Sequence, residues 1–580
     1  MAVQQSVRKL TVVAKDPGLR LGLEGPMVFA QVDVPAELLA FGPTGYRIKV
    51  VDYNATERRA YANRRVYQAG DLLLDPFEPR AGESLLDPAY QARLLADPNF
   101  HAQNCYAIAM RTLGLFERAL GRRVSWSFGG HQLHIAPHAF ALANAFYSEP
   151  DRALMFGYFL DDRQQPVFTS LSHDVIAHET THAILDGLRT RYTEPSGPDQ
   201  AAFHEGFADI VALLSVFSLP EVVAAGLGVT DKPPGPGEPM ALIAADRVTS
   251  AAIRRSILLG IGAEIGAAAD GGRGALRQSV EIEPDPTLLQ SVEMEEPHRR
   301  GEVLVAALMH AFIELWTERI QQLGTFKGGK YNLTSVIEEG AKVAAQLLQM
   351  AIRAIDYCPP TDLDFGQFVA GLLTADRELV PDDGRFGYRV RIRRSCEAYG
   401  IVPPPGETDA EGCWPRFVEP ESLRYSRSNA ETLTRDADEC FRFLWENRDA
   451  LGITERGYTE IESIDVALRV DPDGMPFREA ICQYVQIGHF FGSELKSKTL
   501  CGMDPLPEGF TTQTRADLYG GGVVVFDQYG RVKYHIRNRL LDGDRQRRRL
   551  EYLRDTGQLR LPRDEARLRF ASLHLSRMED

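Results

Sequence analysis

The stretch His178-Glu179-Thr180-Thr181-His182 constrains this chain more than any other. The run around it, SHDVIAHETTHAILDGL over 172–188, has Ser172 as a possible cap, no internal proline, and Val175, Ile176, Ile184, Leu185 and Leu188 at helical offsets. It is expected to be a helix. Residues four apart share a helix face at roughly 5–6 Å between Cβ atoms, so His178 and His182 can aim two imidazoles at one point. Glu179, one step round, lies beside that point.

Two imidazoles alone make a poor metal site, so the motif asks for a third ligand. Glu205 is the candidate. The segment 199–217, DQAAFHEGFADIVALLSVF, is again helical in pattern, with Asp199 as a possible cap, Phe203, Phe207, Ile210, Val211 and Leu214 on its apolar side, and Pro220 beyond its end. Two antiparallel helices joined across TEPSGP bring Glu205 against the histidine pair. Two His and one Glu leave the fourth tetrahedral position open for water, the catalytic kind of zinc site. Asp209 lies four residues after Glu205 and Asp186 four after His182, and either can take the outer N–H of a ligating imidazole. With thirteen histidines in 580 residues a chance HExxH is not negligible. The downstream Glu-x-x-x-Asp turns the reading to metal.

DVIAHETTHAILD followed by HEGFAD resembles the thermolysin-like zinc metallopeptidases, gluzincins with an HExxH helix and a glutamate ligand on the next helix. The resemblance implies His178, His182 and Glu205 as ligands of one catalytic zinc ion, Glu179 as general base, and Asp209 as partner of a ligand histidine. His204 stands where that family commonly has asparagine. NAFY at 144–147 is similar to the family's substrate-binding edge strand, which implies the Asn144 side chain and the Ala145 carbonyl as substrate contacts. GRGALRQSV places Arg277 like the family's arginine that binds a carbonyl on the primed side. His298, before the helix-forming GEVLVAALMHAFIELWTERIQQL, is in the place of the histidine that donates to the oxyanion, with Glu293 its nearest acidic partner by spacing. Tyr192 is the match for the oxyanion tyrosine. Asp174 fits a calcium residue of secreted members, but Val211, Leu213 and Val216 replace the acidic residues expected after Asp209, so calcium is not expected.

Length and composition set the surroundings. A chain of 580 residues exceeds one core and implies three or four domains. Net charge of −15 disfavours nucleic acid as a partner. The first residues hold no signal-peptide-like apolar run, and no stretch of eighteen apolar residues escapes a charge or proline. Seven widely spaced cysteines with no CxxC pair argue against a disulfide framework, and with the missing signal they imply a cytoplasmic protein or one exported by a route the sequence does not advertise.

Short β-rich runs (LTVVA, MVFAQVDV, YRIKVVDY, RRAYANRRVY) fill residues 1–100 and suggest antiparallel sheet, followed by an amphipathic helix over 97–120. A Pro/Gly-rich loop, DKPPGPGEP, and an alanine-rich helical tract around 244–270 follow the two motif helices. Pro403-Pro404-Pro405-Gly406 marks a boundary, beyond which helical runs, strand-like runs and the hairpin VVVFDQYGRVKYHIRN carry no chemical motif.

The expected fold is therefore α+β. It comprises a thermolysin-like catalytic unit with a β-rich N-terminal lobe (1–170) and a helical lobe carrying the ligands (171–401), then a mixed α/β accessory domain (402–580). The expected activity is zinc-dependent hydrolysis of peptide bonds in a peptide or protein substrate, with the accessory domain available to a protein partner. A catalytically silent zinc scaffold and an aminopeptidase are the alternatives. An intact Glu179 speaks against the first, and the lack of a Gly-x-Met-x-Asn strand against the second.

Overall fold

The computed structural model describes residues 7–15, 27–61, 74–160, 164–229, 240–260, 279–326, 328–425, 429, 431–470 and 474–559. Arg277, the loop 231–239 and the tract 261–270 lie outside them. The architecture is mixed α+β.

An antiparallel pair, Val7–Lys15 with Val28–Pro35 in the register Leu10↔Val32, opens the chain. Leu10 and Val12 point inward with Val32 and Val34, and this face lies on the helix Pro98–Leu120, which Asp97 caps by accepting the Asn99 N–H. Asn104 on that helix accepts the Val13 N–H at 2.9 Å, so sheet and helix are tied by a hydrogen bond as well as by burial.

A second sheet runs in the order Ile48–Val50, Leu133–Phe140, Ala153–Leu160, Ala145–Ser148, with Pro166–Phe168 also on Ala153–Leu160. The expectation of antiparallel sheet needs correction here. Ile48–Val50 and Ala153–Leu160 both lie parallel to Leu133–Phe140, because the long helix Pro98–Leu120 makes a crossover between the first two strands. Two strands pair antiparallel with Ala153–Leu160: Pro166–Phe168, and the outer strand Ala145–Ser148, joined to it by a tight turn and pairing Ala145 with Phe156 and Tyr147 with Leu154. The outer strand forms the edge of the sheet.

Helices follow: His173–Leu188, which carries the HExxH motif; Pro198–Phe217, which carries Glu205; Pro297–Gln321, which begins beside His298; and Leu333–Ala354 and Phe365–Leu379 behind them. The motif helix is buried on nearly every side, as a helix in the middle of a large domain must be. Two expected caps are different. The Ser172 hydroxyl binds Asp174 instead of the helix N–H groups, and Gly197 precedes the glutamate helix while Asp199, inside its first turn, pairs with Arg300 at 2.5 Å. One apolar core joins the first sheet, these helices and residues as late as Cys413.

The C-terminal part is a four-stranded antiparallel meander, Tyr458–Val470, Pro476–Phe491, Arg515–Phe526 and Val532–Asn538. Both faces are apolar. Ile481, Val523, Val525 and Ile536 meet Tyr357, Ala370, Ala375 and Trp414 of the helical region, while Cys482, Tyr484, Val524 and Phe526 meet the helix Ala437–Glu446. At the first of these junctions Asp356, fully buried, pairs with Arg122 at 2.7 Å and Arg469 at 2.6 Å. Those guanidinia outweigh the cost of burial and hold its carboxyl well below the usual range. All seven cysteines are free thiols. No single described helix is long and apolar enough to cross a membrane.

Candidate metal centre

Four residues apart on the motif helix, His178 and His182 bring their Nε2 atoms to 2.8 Å, with the rings at 87°. Glu205 arrives from the antiparallel glutamate helix, its Oε2 at 3.6 Å from His178 Nε2 and 3.8 Å from His182 Nε2. A triangle with those sides has its centre about 2.0 Å from each corner, the length of a bond from a small divalent ion to nitrogen or oxygen. The donor set is therefore spaced closely enough to hold a metal ion. It is the single such cluster of His, Cys, Asp and Glu among the described residues.

Charge agrees with geometry. Burial opposes a positive His178, yet the Asp209, Glu205 and Glu179 carboxylates outweigh it and hold the imidazole well above its ordinary value.

The outer nitrogens are each engaged. His178 Nδ1 meets Asp209 Oδ1 at 2.7 Å, which leaves Nε2 as the ligating atom. His182 Nδ1 meets His204 Nδ1 at 2.7 Å, the two rings stacked at 15°. His204, which the sequence reading left out, is thus the partner of His182 Nδ1. Asp186 is buried four residues further on, where its carboxylate takes the Tyr147 hydroxyl at 3.5 Å. The signal that would have found His204 was its position beside Glu205, on the face already turned to the motif helix.

Glu179 reaches the edge strand: its Oε2 accepts the Tyr147 backbone N–H at 2.9 Å. Asn144, at the start of that strand, accepts the Ala145 N–H on its own side chain at 2.8 Å, and Ala145 is half-buried.

His298 comes in from a third helix because two glycines let that helix approach. A Cβ on Gly206 would stand 2.8 Å from the Gly301 carbonyl oxygen, and one on Gly301 would stand 2.8 Å from that of Ala202. With the backbones this close, His298 Nε2 lies 3.5 Å from Glu205 Oε2. Its Nδ1 is held by Glu296 at 2.6 Å, and Glu296 also caps the helix by accepting the His298 and Arg299 N–H groups. Burial raises the Glu296 carboxyl, but the bond to His298 and its charge win and draw it down to about 2. Glu293, the partner expected from spacing, is instead exposed and 3.9 Å from Arg299. Glu302, one helical turn on, is pushed up to about 7 by burial and by the Asp209 and Glu296 carboxylates.

Tyr192 is the clearest correction. It is fully buried against Phe203, and its hydroxyl donates to the Pro359 carbonyl at 2.8 Å, so it faces the core rather than the metal centre. Asp174 is engaged by the Ser172 hydroxyl and the Val175 N–H.

Among known proteins, no family model matches this chain, and no curated sequence matches it.

Proposed function

We propose that this chain is a zinc-dependent endopeptidase of thermolysin-like architecture, its cleft lying between the β-rich part that ends at the edge strand and the helical part that starts with the motif helix. One observation carries the reading. A two-histidine, one-glutamate donor set from antiparallel helices stands beside a Glu179 carboxylate that touches an open strand edge.

Zinc is the ion that suits two neutral imidazoles and one carboxylate with room for solvent, and when bound it supplies Lewis-acid activation of water and of the scissile carbonyl. The residues do the rest. The edge strand Ala145–Ser148 pairs its main chain with an extended peptide, as a sheet edge does, and so presents the scissile bond to Glu179. Glu179 takes the proton of the attacking water and returns it to the leaving amine. His298, its Nδ1 fixed by Glu296, offers Nε2–H to the carbonyl oxygen as negative charge builds there; such a donor is worth about 3–4 kcal/mol of barrier. Both Asp209 and His204 keep the ligand imidazoles in the tautomer that ligation needs.

The test is Glu179→Gln. Metal content measured on the purified full chain stays at one ion, while cleavage of a proteome-derived peptide library falls by about a thousandfold or more. Retained cleavage sinks the assignment of the base, and wild-type protein that binds no zinc sinks the metal centre itself.

A further inference from the structure

A groove of about 470 Å³ lies away from the metal centre, where the N-terminal strand pair, the helix Pro98–Leu120 and the strand Tyr458–Val470 meet. On the helical side Arg111 and Arg118 stand seven residues apart on one face, and Arg122 follows just past the helix end at Gly121. Gly114 between them leaves space, since a Cβ there would meet nothing within 4 Å. The opposite wall is apolar and includes Val34, Pro35 and Leu468.

The charges of this groove do not cancel. Glu117 is taken by Arg47 at 2.8 Å and Arg123 at 3.1 Å, Asp33 by Lys9 at 2.9 Å, and Arg122 by Asp356. Arg111 and Arg118 are left. Arg111 gives Nη2 to the Ser218 hydroxyl at 2.9 Å, but its Nη1 is buried with no partner. Arg118 is exposed and, among the described residues, has no ion pair. Burial and then the charge of Arg118 push the Arg111 guanidinium down to about 10, with Asp33 and Glu221 offsetting only part of this. The Arg118 guanidinium is solvated, so the group left incomplete is the buried Arg111 Nη1, whose missing acceptor an anion entering the groove would supply.

We infer that this groove binds a small organic anion carrying a phosphate or diphosphate group, with Arg111 and Arg118 as the anion-binding pair and the Val34, Pro35 and Leu468 wall holding the organic part. Phosphate concentrates nearly two negative charges in one compact group and accepts the planar guanidinium fork bidentately, which matches two arginines better than a single carboxylate does. The volume is that of a small-molecule site.

The experiment titrates the zinc-loaded full chain with ADP, with inorganic phosphate and with citrate by calorimetry. The expected result is one ADP per chain, bound more tightly than citrate, with Arg118→Gln weakening it about tenfold, the loss of one charged hydrogen bond, and Arg118→Glu abolishing it. Arg416→Gln, which removes an exposed arginine paired with Glu378 elsewhere, leaves ADP binding as in wild type. Because Arg118 is exposed, these variants fold. Equal affinity in Arg118→Gln, tighter binding of citrate, or no phosphate binding at millimolar concentration overturns the inference. ADP binding that survives Arg118→Gln and disappears with a chelator belongs to the metal centre and overturns it equally.

Discussion

Arg191, in the turn between the motif helix and the glutamate helix, grips Glu462 on the first strand of the C-terminal sheet, with Nε and Nη2 both 2.5 Å from Glu462 Oε1. The same sheet reaches the end of the motif helix through Gln483, whose side chain donates to the Leu188 carbonyl at 3.4 Å. Gln200, at the start of the glutamate helix, binds the Arg191 and Glu194 carbonyls at 3.0 and 2.6 Å. The C-terminal sheet thus holds the connection that fixes where Glu205 stands relative to His178 and His182.

If that grip positions the centre, Arg191→Gln and Glu462→Gln each weaken zinc binding about tenfold, and the double variant shows a coupling of about 1–3 kcal/mol between the two residues. Zinc affinity measured by competition with a chelator, beside urea unfolding of each variant, checks this. A loss of stability with unchanged zinc affinity would make the contact merely structural.

The partners of the ligand histidines separate in a similar way. Asp209→Asn keeps an acceptor for His178 Nδ1–H but loses the carboxylate charge that strengthens this ligand, and zinc binding weakens about tenfold, the lower end of the usual effect of altering such a partner. His204→Asn keeps an acceptor for His182 Nδ1–H and stays close to wild type, whereas His204→Leu removes it and falls in affinity at least as far as Asp209→Asn. Equal affinity in His204→Asn and His204→Leu would show that the stacked ring, not its acceptor, matters.

Gly301→Ala tests the close helix crossing. The new Cβ meets the Ala202 carbonyl oxygen at 2.8 Å and must push the helix of His298 away from that of Glu205. Overpacking of this kind costs about 1–3 kcal/mol of stability. A displacement of about 1 Å at a reacting group costs up to about a hundredfold in turnover, so kcat drops while one zinc remains bound. Unchanged kcat would remove His298 from the reaction.

Stability falls on the acid side. His101 and His173 are buried and pushed down to about 3, His101 by burial and His138, His173 by burial and Arg111. Their folded values lie below the ordinary 6.5, so the unfolded chain binds the extra protons as pH falls from about 6.5 toward 3. Stability is full above that window and drops within it by up to about 1.4 kcal/mol per pH unit for each histidine. Unfolding followed at pH 7, 6 and 5 shows this slope, and His173→Phe makes it shallower by up to one proton.

How far the site could be read in advance differs residue by residue. His178 and His182 are related by helical repeat alone, and Glu205 follows from a second helix of clear pattern, so local periodicity was enough. His204, Glu296 and Tyr192 were not legible in that way. The partner of His182 depends on which flank of Glu205 faces the motif helix, and that is set by packing against the rest of the core. Spacing pointed from His298 to Glu293, but the short helical turn Val292–Glu295 turns that residue outward and the N-cap Glu296 inward. Tyr192 is captured by a carbonyl 167 residues away.

The amino-acid order by itself determined the motif helix, the glutamate helix, the edge-strand segment and the absence of a disulfide-like cysteine pattern, because each depends on side-chain periodicity or spacing within about twenty residues. Tertiary structure alone decided that the early strands run partly parallel, that His298 reaches Glu205 across the Gly206–Gly301 crossing, and that the C-terminal sheet grips the turn between the ligand helices. These contacts join residues 85 to 271 positions apart, and such pairings arise from burial and backbone approach in the folded core, which no local pattern records.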